Sequence, residues 1–208
     1  MTLVFKRSVT VVLALFVSIA AGADKEHARL EVGPASSYPY KQTSEGLVMA
    51  ADVFETGEKV KDAFGKHNPY DYGVLPILVV IENTANKAID LSHIRVQYVM
   101  QGHGKVDATP PGDLAYIHGA RRPGITPAPL PIPGLPQTTG GKKSPLAEWE
   151  IQGRAFVLRV LPPHDTASGF FYFQTGHRSN STLYVSGIEE AGTGKELLYF
   201  EIPLAAVQ

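Results

Sequence analysis

The sequence contains no cysteine among its 208 residues. This absence excludes thiol nucleophiles, Cys-ligated zinc, iron–sulfur clusters and dithiol redox motifs. It also excludes the lipid attachment used by bacterial lipoproteins, which requires a cysteine. A chain of this length can bury roughly 70% of its unfolded surface, so it needs no disulfide to fold.

An excess of positive charge is lacking as well. Removal of Lys6 and Arg7 with the N-terminal segment leaves 17 basic residues against 20 acidic residues, a net charge of −3. No basic face is evident in the pattern. We therefore expect no nucleic-acid partner, because such proteins carry clustered Lys and Arg.

Long hydrophobic runs are absent from the chain except at its N-terminus. There Lys6 and Arg7 precede an apolar core at 9–21, and residues 21–23 (AGA) form a small-residue cleavage site. The apolar core is shorter than the ~20 residues of a membrane-spanning helix. The pattern predicts a signal peptide at 1–23, an exported protein that is periplasmic or extracellular, and no membrane span after cleavage. An uncleaved anchor helix is the alternative.

The mature chain is predicted to form a single β-domain. Residues 24–46 are polar and read as an extended N-terminal segment that contacts the domain through Tyr38 and Tyr40. The domain itself covers 47–208, a length that suits one β-domain or at most two small ones. Within it, 101–147 is an insertion that holds nine of the sixteen prolines and eight of the twenty glycines.

The strongest strand pattern is VLPILVVI at 74–81. It is too short for an independent helix, it is rich in β-branched residues, and Pro76 would interrupt a helix. Because nearly every side chain is apolar, both faces of this strand should be covered, as in the centre of a sandwich. The other predicted strands are 47–54, 94–100, 149–151, 155–161, 169–174, 182–188 and 196–202.

Two local patterns predict a short helix and a turn. Val60, Ala63 and Phe64 have helical spacing, and Gly65 suits a left-handed C-terminal cap. Later in the chain, EEAGTG predicts a hairpin turn with glycines available for positive φ. The count of about seven strands separated by turns predicts an all-β, immunoglobulin-like antiparallel β-sandwich, with an open barrel as the alternative.

Three stretches of the predicted strands resemble a known class of domain. They are VLPILVVIENTANKAIDL, the following RVQYV, and VLPPHDTASGFFYF further along. Together they resemble bacterial exported immunoglobulin-like domains of unknown function, over roughly 47–202 without the insertion. The disulfide and core Trp typical of antibody domains are absent. The resemblance implies a fold and an envelope location, and it implies no catalytic residues.

The loop before the central strand is the first candidate for a binding surface. It contains Phe64, His67, Tyr70 and Tyr72. Exposed aromatic rings could stack on a sugar or hold a partner peptide. Alternatively, the two tyrosines cover the end of the sandwich as a structural lid with their hydroxyls in water.

The insertion is the second candidate. Its proline-rich core, PGITPAPLPIPGLPQ, favours polyproline II and could dock in a partner's aromatic groove. Arg121 and Arg122 precede this core and would supply charge, and Tyr116 lies in a predicted helical turn at 113–119. The alternative is a strap that covers the protein's own sheet. We expect any binding site where the insertion meets the tyrosine-rich loop.

Seven histidines raise the possibility of a metal site, which needs three or four converging ligands. No pair has the short spacing that places two ligands on one element. The metal hypothesis is that His67, His103 and His118 converge on one metal ion. The alternative is that the histidines are scattered over the surface. The sequence predicts no cofactor.

No catalytic constellation is found either. Ser186 lacks the flanking glycine of a nucleophile elbow, and GTGK at 192–195 is a turn without a following helix. The leading prediction is a non-catalytic exported domain that binds an envelope protein or an extracellular ligand. The alternatives are a carbohydrate-binding module that uses the tyrosine-rich loop, and a metal-dependent enzyme or metal carrier.

Overall fold

A computed structural model describes residues 30–117, 144–147, 149–197 and 199–204. The predicted signal peptide, His118, Arg121, Arg122 and the proline-rich core of the insertion lie outside these residues. Across the described ranges, no helix is both long and apolar enough to cross a membrane.

The described residues are mostly β-strand with a few short helices. The α-helices are α1 (Glu58–Phe64) and α2 (Trp149–Gln152), and short 3₁₀ helices cover Ala35–Ser37, Pro69–Tyr72, Pro111–Tyr116 and Pro145–Ala147. The strands are β1 (Lys41–Ser44), β2 (Leu47–Val53), β3 (Leu75–Asn83), β4 (Ile89–Asp90), β5 (Arg95–Met100), β6 (Gly104–Asp107), β7 (Val160–Leu161), β8 (Thr166–Phe173), β9 (Ser181–Ser186), β10 (Glu189–Glu190) and β11 (Phe200–Pro203).

The strands form three antiparallel sheets. The first has the order β1-β2-β3-β8, the second β11-β9-β5-β6, and a small third sheet has the order β10-β4-β7. Register in the first sheet places Val79 opposite both Ala51 and Gly169, and in the second it places Tyr98 opposite Leu183. These sheets place the chain in the all-β class, as predicted.

Two apolar cores flank the first sheet. One core contains inward-facing residues of both large sheets, including Met49, Ile77 and Val185, all fully buried. The second core lies on the other face of the first sheet, where helical segments cover residues such as Leu78 and Phe170. The first sheet therefore has a helical layer on one face and the second large sheet on the other, and burial of both faces stabilises the fold. We refer to the two facing sheets as the sandwich.

The central-strand prediction is confirmed. β3 pairs with β2 on one side and β8 on the other, and eight of its nine residues are buried. The helix prediction is confirmed too, because Val60, Ala63 and Phe64 are the buried residues of α1. Gly65 ends that helix with a φ of 62°, and its amide donates to the carbonyl of Lys61.

The strand predicted at 155–161 is wrong over most of its length. Only β7, two residues long, pairs as a strand there, through β4. AFVLRVL alternates apolar residues, but 156–159 crosses from the edge of β8 towards β4 without a continuous ladder. Phe156 makes one backbone hydrogen bond to Phe170, and Arg159 makes one to Leu91. The strand predicted at 149–151 is also wrong: these residues belong to α2, whose Ile151 packs into the second core.

The extended N-terminal segment contains a strand that the sequence pattern did not predict. β1 forms a hairpin with β2 through a two-residue turn at Glu45 and Gly46, both with positive φ. Its residues KQTS are polar and mostly exposed, so no hydrophobic periodicity marks them. β6 was missed for the same reason. Tyr38 and Tyr40 do contact the domain, one at each core.

Candidate functional site

The tyrosine-rich loop folds as the 3₁₀ helix Pro69–Tyr72. Asn68 caps it by accepting the Tyr70 amide at 3.0 Å, and Gly73 ends it in the left-handed region. Tyr70 is half-buried against the core between the sheets, and Tyr72 is half-buried against the second core. The loop therefore covers the end of the sandwich, which favours the lid over an exposed aromatic platform.

The lid interpretation places both tyrosine hydroxyls in water, and this is wrong for Tyr70. The Tyr70 hydroxyl accepts a hydrogen bond from the His177 amide at 3.1 Å. This contact ties the loop to the β8–β9 connection, which is more than one hundred residues away in sequence. Tyr70 is consequently a structural link between two connections at the same end of the molecule.

The other predicted binding residues that the structure describes lie on separate elements. Tyr116 is half-buried at the end of the 3₁₀ helix Pro111–Tyr116, and His67 is half-buried after α1. His103 is exposed in the β5–β6 turn. Among the described residues, no group of three His, Asp or Glu side chains is arranged to hold a metal ion.

A buried polar cluster lies beneath the tyrosine-rich loop. The Tyr98 hydroxyl is 3.0 Å from Nδ1 of His177 and 2.6 Å from Oγ of Ser181, and it accepts the Arg178 amide at 2.8 Å. Ser181 donates to the Arg178 carbonyl. Because Ser181 has one hydroxyl proton, Tyr98 must donate to Ser181, and His177 must therefore donate to Tyr98 from Nδ1.

This cluster contains a serine and a histidine but is not arranged as a nucleophile with its base. The Ser181 proton is committed to a carbonyl, and the residue is 1% exposed. A nucleophilic serine instead donates to its base and faces substrate. The cluster serves to satisfy buried polar groups and to hold the β8–β9 connection in place.

The sandwich has one closed side and one open side. At the closed side, edge strands β1 and β11 of the two large sheets lie beside each other. At the other side, which we call the open side, the edge strands are β8 and β6. They are bridged at one point, where the Thr109 amide donates to the Tyr172 carbonyl at 2.7 Å, and a cleft lies beside this bridge. Exposed strand edges are the usual positions at which a sheet accepts another chain.

The edge of β8 is partly covered by the chain that follows α2. The Phe156 amide donates to the Phe170 carbonyl at 3.0 Å, and the Phe170 amide donates to the Arg154 carbonyl at 2.9 Å. A Cβ atom at Gly169 would lie 2.6 Å from the Cα atom of Phe156. Glycine is therefore required at this position for the two backbones to approach.

Side-chain hydrogen bonds anchor this chain before and after its exposed part. Tyr172, whose pKa burial raises well above the ordinary value, donates to the Ile151 carbonyl of α2 at 2.5 Å. Beyond the exposed part, the buried Asn83 donates to the Pro162 carbonyl at 2.9 Å. The Leu91 amide donates to the Arg159 carbonyl at 2.7 Å.

Between the anchors at Ile151 and Pro162 lies an apolar edge segment, which we define as residues 156–160 (FVLRV). Val157 is 78% exposed, Val160 48% and Leu158 40%. The backbone groups of Val157 and Leu158 make no hydrogen bond to another described residue. Val160 pairs with β4, but Val157 and Leu158 do not pair. Three exposed aliphatic side chains within four residues are unusual for a surface that faces only water.

The open-side cleft adjoins the apolar edge segment and has a volume of about 270 Å³. Phe156 stacks on Phe171 at its wall, with ring centroids 5.2 Å apart and planes inclined by 20°. Arg95 and Asp107 are the charged residues of the wall. The apolar part of the lining comprises Ile94, Val96, Ala108, Phe156, Phe170 and Phe171.

Sequence reasoning did not identify this cleft. The sequence predicts a strand at 155–161, which implies burial of its apolar side chains within a sheet. The arginine in the middle of FVLRV and the Pro-Pro pair that follows it are instead common at exposed edges. Such features do not reveal that β5 and β6 form the opposite wall.

Comparison with known proteins assigns no family. No family model matches the sequence, and no curated protein matches it. The structure is similar to the yjhA protein from Bacillus subtilis, with a TM-score of 0.44 and 12% identity over 79% of this chain and 96% of that one. It is also similar to a functionally unknown protein from Listeria monocytogenes EGD-e, with a TM-score of 0.34 and 11% identity over 81% of each chain. At these TM-scores, the similarities establish neither a family nor a function.

Proposed function

We propose that this protein is a non-catalytic exported domain that binds another protein, and that it does so at the open-side cleft. The single observation that carries this proposal is the exposure of Val157, Leu158 and Val160 beside an apolar cleft. Exposed apolar patches of this kind mark interaction surfaces on soluble domains.

The size of the cleft favours a protein partner over a free small molecule. Small-molecule sites usually measure about 300–1,000 Å³ and enclose most of the ligand. The open-side cleft, at about 270 Å³, lies just below that range and opens directly onto the apolar edge segment. A single large apolar side chain of a partner would fit it, as anchor residues do in protein interfaces.

The backbone of the edge segment favours an extended partner. Val157 and Leu158 offer amides and carbonyls without partners among the described residues. A peptide in strand conformation would bond the groups of one of these two residues, because the backbone groups of adjacent residues in an extended chain point to opposite sides. Main-chain hydrogen bonds would then supply affinity and the cleft would supply specificity. The charged side chains of Arg95, Asp107 and Arg159 would then form the polar rim that protein interfaces typically have.

A displayed library of random linear peptides, selected on the purified mature protein, tests this function. We expect enriched peptides with an apolar core, whose affinity falls about tenfold or more in Val157→Asp and Leu158→Asp. Tyr199→Asp is the matched control, because Tyr199 is 50% exposed and lies just before β11, at the closed side of the sandwich. Peptides that bind the Val157 and Leu158 variants as tightly as the wild type would disprove the proposal, as would a selection without enrichment.

The other two functions considered from the sequence gain no support from the described residues. A carbohydrate-binding platform would need Tyr70 and Tyr72 to be exposed together, whereas each packs on a different core. A metal site at His67, His103 and His118 includes one residue outside the described ranges.

We also propose that the strand connectivity is immunoglobulin-like. In support, β2, β3 and β8 adjoin in one sheet as strands A, B and E do, and β5, β9 and β11 adjoin in the other as C, F and G do. The exported location is a proposal that rests on residues 1–23. N-terminal sequencing of protein recovered from the periplasm or medium should begin at Asp24, and a retained Met1 would contradict it.

A further inference from the structure

A second cleft lies at the far end of the β5–β6 hairpin, roughly 15–20 Å from the open-side cleft at the ~3.3 Å rise per strand residue. It has a volume of about 360 Å³ and is formed by the β5–β6 turn and the β8–β9 connection. Five of its six lining side chains can donate hydrogen bonds, and none is a carboxylate. They are Gln101, His103, Arg178, Ser179 and Asn180, with Met100 as the sixth.

The backbone that carries Arg178 is held from below by buried groups. Its amide donates to the Tyr98 hydroxyl at 2.8 Å, and its carbonyl accepts from Ser181. The amide of the preceding residue, His177, is held by Tyr70. Tyr98 is completely buried and Ser181 is 1% exposed, so this support is rigid.

Buried groups hold the backbone of Arg178, but they do not hold its side chain. The residue is exposed, and its guanidinium makes no hydrogen bond or ion pair with a described residue. Elsewhere in the described chain, Lys59 pairs with Asp52 and Lys195 with Glu45. At this cleft a preorganised arginine faces other donors, and the described residues of the lining include no carboxylate.

We propose that this second cleft binds an oxyanion, the carboxylate or phosphate group of a ligand. Arg178 would contact two oxygen atoms of the anion, because a guanidinium presents paired donors that match carboxylate and phosphate geometry. His103 and Asn180 supply further donors at the rim. Support of the arginine backbone by Tyr98 and Ser181 reduces the entropy lost when the anion is bound.

Titration with inorganic phosphate and, separately, with acetate tests the site. Backbone amide chemical shifts of residues 100–103 and 178–180 are followed by NMR. Each added anion replaces chloride, so that the ionic strength stays constant. We expect saturable shifts at these residues with at least one of the two anions. Saturation with phosphate alone assigns a phosphorylated ligand, and saturation with acetate alone assigns a carboxylate ligand.

Three variants decide whether Arg178 is the recognition group. We expect Arg178→Ala to weaken binding about tenfold or more, and Arg178→Lys to recover only part of it because an ammonium cannot make the paired contact. Lys66→Ala is the control for loss of one exposed positive charge, and it should bind as the wild type does. Thermal unfolding of each variant confirms that the fold is retained. Shifts that rise linearly with anion concentration, or that persist equally in Arg178→Ala, would overturn the proposal.

Discussion

Nδ1 of His177 donates its proton to the hydroxyl of Tyr98 across 3.0 Å, within a cluster where each hydroxyl proton has one assigned acceptor. The two residues belong to different elements, β5 and the β8–β9 connection, and are 79 positions apart. Their contact fixes the end of the sandwich at which the tyrosine-rich loop and the proposed oxyanion site both lie. Substitution at Tyr98 should therefore affect stability and site geometry together.

We predict that Tyr98→Phe lowers the free energy of unfolding. The change leaves the His177 ring nitrogen, the Arg178 amide and the Ser181 hydroxyl without their shared partner. Each buried polar group left without a partner costs about 1–3 kcal/mol. Tyr184→Phe removes a hydroxyl from neighbouring β9 that makes no hydrogen bond to a described residue, and urea unfolding should show little change for it. Equal stability of the two variants would contradict the stabilising role of the Tyr98 hydroxyl.

We predict that Gly169→Ala displaces the apolar edge segment from β8. The new methyl group would meet the Cα and N atoms of Phe156 at 2.6 and 2.7 Å, and backbone atoms cannot move aside as a flexible side chain can. Overpacking of this kind costs about 1–3 kcal/mol. Gly112→Ala has open space around its Cβ and should change stability by no more than about 0.5 kcal/mol. Thermal unfolding of both variants measures the difference.

We predict a pH-dependent contribution from Glu190. Its hydrogen bond with Lys87 holds the pKa of the Glu190 carboxyl below the ordinary value. A carboxyl whose folded-state pKa is lowered stabilises the fold above its unfolded pKa, about 4.3, and loses that contribution as the pH falls through the folded pKa. Glu190→Gln should therefore be less stable than the wild type at pH 7, with a difference that shrinks below about pH 4.

The control for this pH effect is Glu196→Gln. Glu196 is exposed and makes no ion pair with a described residue. Urea unfolding at several pH values should show a nearly constant difference between this variant and the wild type. A difference for Glu190→Gln that is equally independent of pH would show that the Lys87 contact has no role in stability.

The elements that could be predicted from the sequence are those with a strong periodic pattern. β3 is apolar at nearly every position because both of its faces are covered, and α1 has Val60, Ala63 and Phe64 on one face. β1 could not be predicted, since its polar residues pair with β2 without burying an apolar face. Hydrophobic periodicity reports burial and not pairing, so the pattern of FVLRV predicts a strand although Val157 and Leu158 pair with no described residue.

The two proposed sites were harder to predict for a related physical reason. Arg178 is an ordinary exposed arginine in the sequence, and its significance depends on Tyr98, which is 80 positions earlier. The open-side cleft likewise combines residues of β5, β6 and β8 with the edge segment. Contacts between distant segments carry no local pattern, whereas the tyrosine-rich loop has a conspicuous composition and proved to be a lid.

Backbone hydrogen exchange at the apolar edge segment is the most direct test of the central claim, that a partner adds an extended chain there. The measurement compares the amides of Val157 and Leu158 in the free protein and with a peptide selected on the wild type. The account predicts rapid exchange in the free protein and clear protection of at least one of these amides in the complex. Unchanged exchange at both amides, with protection appearing elsewhere in the chain, would contradict it.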